Sequence, residues 1–243
     1  MTLRDEFLLD NPVWHALQGP LSRFALPAVG EDLVQFDHDV SPFSAIDIPD
    51  NSSWGKVAEE VGREGICGLF RADLPELPSG WEEHYRGSCL QMVAGDLPPA
   101  QNPGIEVLQP ADATDALALA ELTEPGPFLL RTPELGRFVG VRRDGELVAM
   151  AGERFRVPGF VEISAVCVLP EMRGQGLAAA LTLNVAESIR AGGDEAFLHV
   201  LVENENAIRL YQKLGFVTRC ELDVVFAQWH GAEWVPSERN ESV

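Results

Sequence analysis

Six consecutive residues, Arg173-Gly174-Gln175-Gly176-Leu177-Ala178, carry the clearest chemical signal in the chain. They follow an apolar, β-branched run and precede a stretch with helical character. A strand that runs through a short glycine-bearing turn into a helix forms an anion site, because the first helical turn has free N–H groups and its dipole favours negative charge. Gly174 and Gly176 let the main chain approach phosphate oxygens with no Cβ in the way, and Arg173 adds a positive charge. A short glycine turn also occurs for steric reasons alone, so taken by itself it is weak evidence. Two other phosphate motifs are missing: the sequence has no GxxxxGK[ST], and no GxGxxG with an acid about 20 residues on.

The elements that must hold this loop can be read on both sides of it. VEISAVCVLP, residues 161–170, is almost continuously apolar and suits a central strand buried on both faces, with Pro170 ending its pairing. A helix is predicted from Leu177 to about Arg190, stopped by Gly192-Gly193. A strand AFLHVLVE follows, then a helix through Ala207–Leu214 closed by Gly215, then a strand pair at roughly 217–222 and 224–229. Upstream, a helix starting at Asp112 or Thr114 is broken by TEPGPF. Strands Phe138–Arg142 and Leu147–Ala151 are joined by the hairpin signal Asp144-Gly145, and a third runs through Glu153–Arg156. This order implies an α/β fold, an α+β mixed sheet with helices on both faces.

The proline-rich segment LPPAQNPG, residues 97–104, is the best boundary in the chain. It divides an N-terminal α/β half, 1–100, from a second domain, 105–243. In the first half a short helix VWHAL follows Asn11-Pro12, and strands are expected in DLVQFD, SAIDI, ICGLFR and SCLQMVAG. Ser52 or Ser53 is placed to cap a helix through Trp54, Val57, Ala58 and Val61. His15, His38 and His84 are isolated and read as structural or surface residues.

The bulk numbers bound the function. With 243 residues, 46% of them hydrophobic and 23% charged, the chain has an ordinary globular composition. A net charge of −20 opposes nucleic-acid binding, which needs a basic face. No stretch reaches the ~20 apolar residues of a membrane span, and the first residues are acidic where a secretory leader needs a basic start. Cys67, Cys89, Cys167 and Cys220 show neither a CxxC pair nor zinc-ligand spacing, so no metal is expected and they read as reduced thiols of a cytoplasmic protein. Locally, Arg131, Arg137, Arg142, Arg143, Arg154 and Arg156 concentrate basic charge in one segment.

The sequence resembles the GNAT acyl-CoA N-acyltransferase superfamily over roughly 105–230. That family's signature, Q/R-x-x-G-x-G/A after the fourth strand, is matched by Arg173 through Ala178. Its later pattern N-x-x-A-x-x-L-Y-x-x-x-G-F is matched in full by Asn204-Glu205-Asn206-Ala207-Ile208-Arg209-Leu210-Tyr211-Gln212-Lys213-Leu214-Gly215-Phe216. The N-terminal half resembles a degenerate, shortened copy of the same fold, with no counterpart of either motif.

The resemblance implies acetyl-CoA as cosubstrate and direct transfer of an acetyl or short acyl group to a primary amine, either on a small molecule or on a peptide. The main chain of Val166, Cys167 and Val168 would pair with the pantetheine arm, the amides from Gly174 to Ala178 would hold the pyrophosphate, and Asn204 would bond the arm. The N–H of Val168 would stabilise the oxyanion. Tyr211 would protonate the leaving thiolate, since a phenol pKa near ~10 is close to that of an alkyl thiol. For the base, Glu162 stands where some family members carry theirs. Strand alternation puts it on one face with Ser164, Val166 and Val168, where burial would raise its pKa. A strand-end ion pair with Arg154 or Arg156 is the competing reading; Glu153 and then His199 are further candidates. The same alternation turns Cys167 away, and without a His/Asp partner it is not expected to be a nucleophile. The acceptor pocket is expected around Phe128, Arg131 and Phe138. The N-terminal half is expected to bind no CoA and to shape either the acceptor site or a homodimer interface. A catalytically silent acyl-CoA-binding or regulatory protein is the alternative.

Overall fold

The structure, a computed structural model, describes residues 6–27, 33–47, 51–62, 65–72, 74 and 76–231. The N-terminal part contributes α1 (Pro12–Leu17), β1 (Leu33–Gln35), β2 (Ser44–Ile46), α2 (Asn51–Val61), β3 (Ile66–Arg71) and β4 (Trp81–Ala94). The remainder supplies β5 (Ile105–Val107), α3 (Ala113–Thr123), β6 (Phe138–Arg143), β7 (Glu146–Val157) and β8 (Phe160–Val168). It ends with α4 (Leu177–Ala191), β9 (Glu195–Leu201), α5 (Glu205–Leu214) and β10 (Phe216–Trp229). α1 begins as the sequence indicates: Asn11 Oδ1 accepts from the Trp14 N–H at 3.4 Å and Pro12 takes the first position, where its missing N–H costs nothing. The proposed caps Ser52 and Ser53 have side chains outside the described residues.

Eight strands form one mixed sheet in the order β3-β10-β4-β9-β8-β7-β6-β5, beside a two-stranded β1-β2 pair. β4, from before the proline-rich segment, lies between β9 and β10, pairing antiparallel with both. The segment at 97–104 is therefore a connection within the eight-stranded sheet, to which both halves contribute strands.

Successive side chains on the inner strands feed different apolar clusters, as strand alternation requires. On β9, Ala196, Leu198 and Val200 join α3, α4 and α5 in one cluster, while Phe197 joins a second cluster with α1, Phe36, Phe43 and Phe155. The N-terminal segment thus covers the side of the sheet opposite the long helices.

Two strands are longer than their sequences suggest. β7 runs unbroken for 12 residues and β10 for 14, where two strands each were expected. In the β7-β8 pair, register shifts at Met150/Gly152 and Glu153/Arg156 flank the expected break, whereas Asp223, the expected break in β10, is paired in register with Arg71 of β3 and Ser88 of β4. A bulge interrupts the two-residue period without ending the pairing, and in sequence it looks like a break.

Candidate active site

The glycine loop opens α4 as the sequence requires. Gly174 and Gly176 have φ of 77° and 76°, in the left-handed region where a side chain is strained, and Gly176 is the helix N-cap with no side-chain cap. Among the described residues, the main-chain N–H groups from Gly174 through Ala179 donate to no protein acceptor; the first helical bond runs from Ala180 N to Gly176 O at 3.0 Å. This is a run of oriented donors at a positive helix end, with an exposed Arg173 beside it. Arg173 Nε donates to Val168 O at 3.3 Å, which ties the loop to the end of β8.

Above that loop the sheet divides. β8 pairs in parallel with β9 only from Phe160↔Glu195 to Ile163↔Leu198, after which β9 stays with β4 and β8 with β7. Leu169 N donates to Val148 O at 2.9 Å, so in the antiparallel pattern the Val168 main-chain groups face away from β7, and two residues earlier so do those of Val166. They line the opening. Ala165 has φ 52°, and two residues, Ala165 and Val166, stand opposite Ala151 alone, since Met150 pairs with Cys167 and Gly152 with Ser164. This bulge corrects the expected alternation: Glu162 and Ser164 do not share one unbroken face with Val166 and Val168.

Two hollows meet at the opening. A cleft of about 580 Å³ is lined by Val166, Cys167, Val168, Arg173, Gly174 and Asn204, among others. A second cavity of about 290 Å³ holds Tyr211, Arg154, His199 and Ser164 in its walls. Glu124, Pro125, Val166, Asn204 and Ala207 line both. Asn204 caps α5, its Oδ1 accepting from Ala207 N at 3.1 Å, so only its amide donors and residual acceptor capacity face the hollows. Tyr211 is buried on α5, edge-on to Phe216, and its hydroxyl makes no hydrogen bond among the described residues. Burial pushes its pKa up to about 12.

The N-terminal half builds one wall of the second cavity. Phe43, Phe70 and Tyr85 come from it and meet Phe226 of β10. Two strand glycines make room for them. A Cβ on Gly68 would lie 2.6 Å from the Phe226 ring and 2.9 Å from Phe43, and one on Gly87 would lie 2.2 Å from Tyr85 Oη. Glycine inside a strand marks such a close approach.

The sequence-derived base candidates do not survive the geometry. Glu162 is fully buried, gripped by Arg154 through Nε (2.8 Å) and Nη2 (2.6 Å), and it also accepts from Phe155 N and His199 Nδ1. Burial alone would raise its pKa, but the Arg154 charge and His199 outweigh that and hold it down at about 2. The expected raised pKa is corrected: the strand-end ion pair is what the structure contains. Glu153 is paired with Arg156 at 2.9 Å and lines neither hollow. His199 has no free lone pair. Arg219 Nη1 donates to Gln91 Oε1 at 2.9 Å, which turns Gln91 Nε2 toward His199 Nε2 at 3.0 Å; that ring nitrogen must accept, leaving its proton on Nδ1 for Glu162 at 2.7 Å. Desolvation, with Arg154 and Arg219 nearby, lowers the His199 pKa and keeps the ring neutral.

Other expectations also move. Phe128 and Phe138 stack edge-on within the core, and Arg131 is bound to Asp37 and Glu134, so none of the three lines the second cavity. Arg142 and Arg156 are neutralised by nearby acids. Burial pushes the Cys167 thiol up to about 11, which leaves it a poor nucleophile. The sequence reading missed Glu124. It is the left-handed C-cap of α3 (φ 48°), and a non-glycine residue there, between Thr123 and Pro125, was the available signal. No metal-binding cluster and no helix long and apolar enough to cross a membrane occurs among the described residues.

A parting in a mixed sheet, with a bare amide turn below it and a buried phenol beside it, defines a site suited to acyl-group transfer from a phosphate-bearing carrier. A family model described as FR47-like protein matches residues 138–224. Mycothiol acetyltransferase of Paenarthrobacter aurescens is 36% identical over 97 residues, 37% of this chain and 30% of that protein. The enzyme of the same name from Thermobispora bispora is 46% identical over 66 residues, 27% of this chain and 22% of that protein. The chain thus spans under a third of the length of these curated relatives. The crystal structure of a Novosphingobium aromaticivorans protein, assigned to the acetyltransferases of the GNAT family, superposes with a TM-score of 0.84 at 37% identity, covering 91% of this chain and 98% of that one. A GCN5-related N-acetyltransferase from Kribbella flavida shares the fold at 23% identity and TM-score 0.59, over 90% and 94% of the two chains. The chain belongs to the GNAT family of acetyltransferases.

Proposed function

We propose that the chain transfers an acetyl or short acyl group from acetyl-CoA to a primary amine, by direct attack with both substrates bound. The observation that carries this is the run of amides from Gly174 to Ala179, without an acceptor among the described residues, in a cleft that joins the cavity holding Tyr211. The donors and the left-handed glycines suit a pyrophosphate, which fits the donor set better than any single carboxylate would. The open edge at Val166 and Val168 suits a polyamide arm added like a strand. Acetyl-CoA supplies the activated thioester. Val168 N–H faces the opening and would stabilise charge building on the carbonyl oxygen. Tyr211, kept protonated by burial, would give its proton to the departing sulfur.

The N-terminal half, residues 1–100, shows no amide turn of this kind among its described residues and contributes aromatic wall to the second cavity, which supports its role in shaping the acceptor site. A catalytically silent binder is the weaker reading: it has no use for a hollow that joins the cleft and holds a phenol with no hydrogen bond among the described residues.

Calorimetric titration with CoA, followed by thiol-release assays with acetyl-CoA and a panel of amines, tests the proposal. Micromolar CoA binding and amine-dependent thiol release support it. CoA binding with no turnover for any amine would favour the silent reading, and no CoA binding would end both.

A further inference from the structure

The charged side chains facing the second cavity are few and well separated in kind. Arg154 is the one arginine or lysine among its described lining residues and Glu124 the one acid. Arg154 spends Nε and Nη2 on Glu162, and its guanidinium lies against the rings of both Phe43 (5.1 Å to the centroid) and Phe155 (4.5 Å), so its orientation is fixed. Nη1 is left with no hydrogen bond among the described residues, on a side chain only 11% exposed. A donor held this way in an aromatic setting selects an oxygen acceptor: its charge is largely balanced by Glu162 behind it, but its N–H bonds are not. Glu124 stands where the cavity meets the cleft, and its carboxylate makes no hydrogen bond or ion pair among the described residues. Its main chain is pinned by Glu124 N donating to Ala120 O at 2.8 Å and by the proline that follows. In the same cavity, Phe43, Phe70, Phe226 and Val224 present apolar surface.

We propose that the acceptor is an α-amino-acid-type amine with an aromatic or large apolar side chain. Its ammonium meets Glu124, its carboxyl or carbonyl oxygen meets Arg154 Nη1, and its side chain lies on the aromatic wall. This rests on the acetyl-transfer reading. The cavity, at about 290 Å³, is at the low end of the ~300–1,000 Å³ range for small-molecule pockets. It takes one such residue, either free or as the first residue of a peptide. The location of Glu124 also gives the amine a route to its reactive form. The ammonium must give up one proton before its nitrogen can attack, and the nitrogen gives up a second as the C–N bond forms and the thioester C–S bond breaks. The first leaves as H⁺ through Glu124 and solvent, freeing the lone pair, and the second replaces the proton that Tyr211 gives to the sulfur. No further reactant is required.

The test compares phenylalanine, phenethylamine, alanine and a dipeptide beginning with phenylalanine as acceptors for the full chain, with CoA binding measured separately by calorimetry. Phenylalanine or the dipeptide should exceed both phenethylamine and alanine in kcat/KM by at least about tenfold, and the better of the two identifies the source. Glu124→Gln should raise the acceptor KM about tenfold or more while the KM for acetyl-CoA changes by less than about twofold, and should move the pH profile of acceptor kcat/KM. CoA binding together with equal or better turnover of phenethylamine or alanine, or with no turnover of the four, overturns the acceptor class while leaving the cosubstrate site standing. An unchanged Glu124→Gln variant overturns the ammonium site. Absence of CoA binding overturns this inference and the acetyl-transfer reading together.

Discussion

Arg154 holds Glu162 by two nearly parallel hydrogen bonds, 2.8 Å and 2.6 Å, with the carboxylate side chain 1% exposed. His199 and Phe155 N take up further acceptor capacity of the carboxylate, so removing it strands a buried guanidinium. Glu162→Gln should cost about 3–5 kcal/mol in urea unfolding at pH 7. The pH dependence has a definite sign. The folded pKa, about 2, is below the unfolded value near ~4.3, so the contribution is fully present above the unfolded pKa and is lost as pH falls toward the folded one. The stability gap between wild type and Glu162→Gln should therefore be constant from pH 6 to 8 and narrow below about pH 4. A gap that widens in acid would contradict the ion pair.

Tyr211 makes the opposite prediction in alkali. Burial raises its pKa from the ordinary phenol value to about 12, so its proton is retained across the working range. Tyr211→Phe keeps the ring that packs against Phe216 and removes the hydroxyl. It should lower kcat by about 10²–10⁴-fold while the CoA Kd stays within about threefold. Wild-type kcat should show no alkaline limb from this group below about pH 11. Because the folded pKa is the higher one, the stability linked to the neutral phenol is whole below the unfolded pKa near ~10 and disappears as pH rises through about 12.

At the amide turn the relevant property is conformation. A Cβ on Gly176 would meet nothing within 4 Å, yet its φ is 76°. Gly176→Ala should destabilise by about 1–2 kcal/mol through backbone strain alone. If the turn cradles a diphosphate, the same methyl intrudes on the ligand, and the CoA Kd should rise about tenfold or more. A Kd that tracks only the stability loss would remove the turn from the binding site. Calorimetry and thermal unfolding on the same samples separate these outcomes.

What the sequence made legible was whatever depends on local pattern. The loop at 173–178, the helix beginning after Asn204 and the central strand VEISAVCV all stand where their glycines, cap residue and β-branched run place them. What it hid depends on partners distant in the chain. The bulge at Ala165 has no marker, because alanine rarely adopts φ 52° and only the pairing with β7 reveals it. Glu162 read as a base because alternation told of burial but not of Arg154 across the β7-β8 pair. β4 entering between β9 and β10 joins residues more than a hundred positions apart, which no short-range pattern encodes. The aromatic wall of the second cavity was expected from the N-terminal half only in outline, and its residues were not named for the same reason: Phe43, Phe70 and Tyr85 join Phe226 from both halves of the chain.

That wall can be moved without touching the amide turn. Gly87 lies in β4 opposite Val224, and the Tyr85 hydroxyl lies over it, so close that a Cβ there would be 2.2 Å from Tyr85 Oη and 2.6 Å from its Cζ. Tyr85 is 36% exposed and free to swing outward, so the clash is relieved by moving the side chain, with the strand backbone left in place. Alanine in a strand is ordinarily favoured over glycine by about 0.5–1 kcal/mol, which offsets the displacement, so Gly87→Ala should leave stability within about 1 kcal/mol of wild type. Its effect should instead appear at the second cavity, where Tyr85 is part of the lining. The acceptor KM should rise several-fold, by about 3–10-fold for one displaced aromatic contact, with the CoA Kd unchanged. Tyr85→Ala should reproduce the shift, and the double variant should add nothing further, because both changes remove the same contact. Steady-state kinetics with the amine varied at saturating acetyl-CoA makes the measurement, and additive effects in the double variant would show that Gly87 acts on the cavity by some route other than Tyr85.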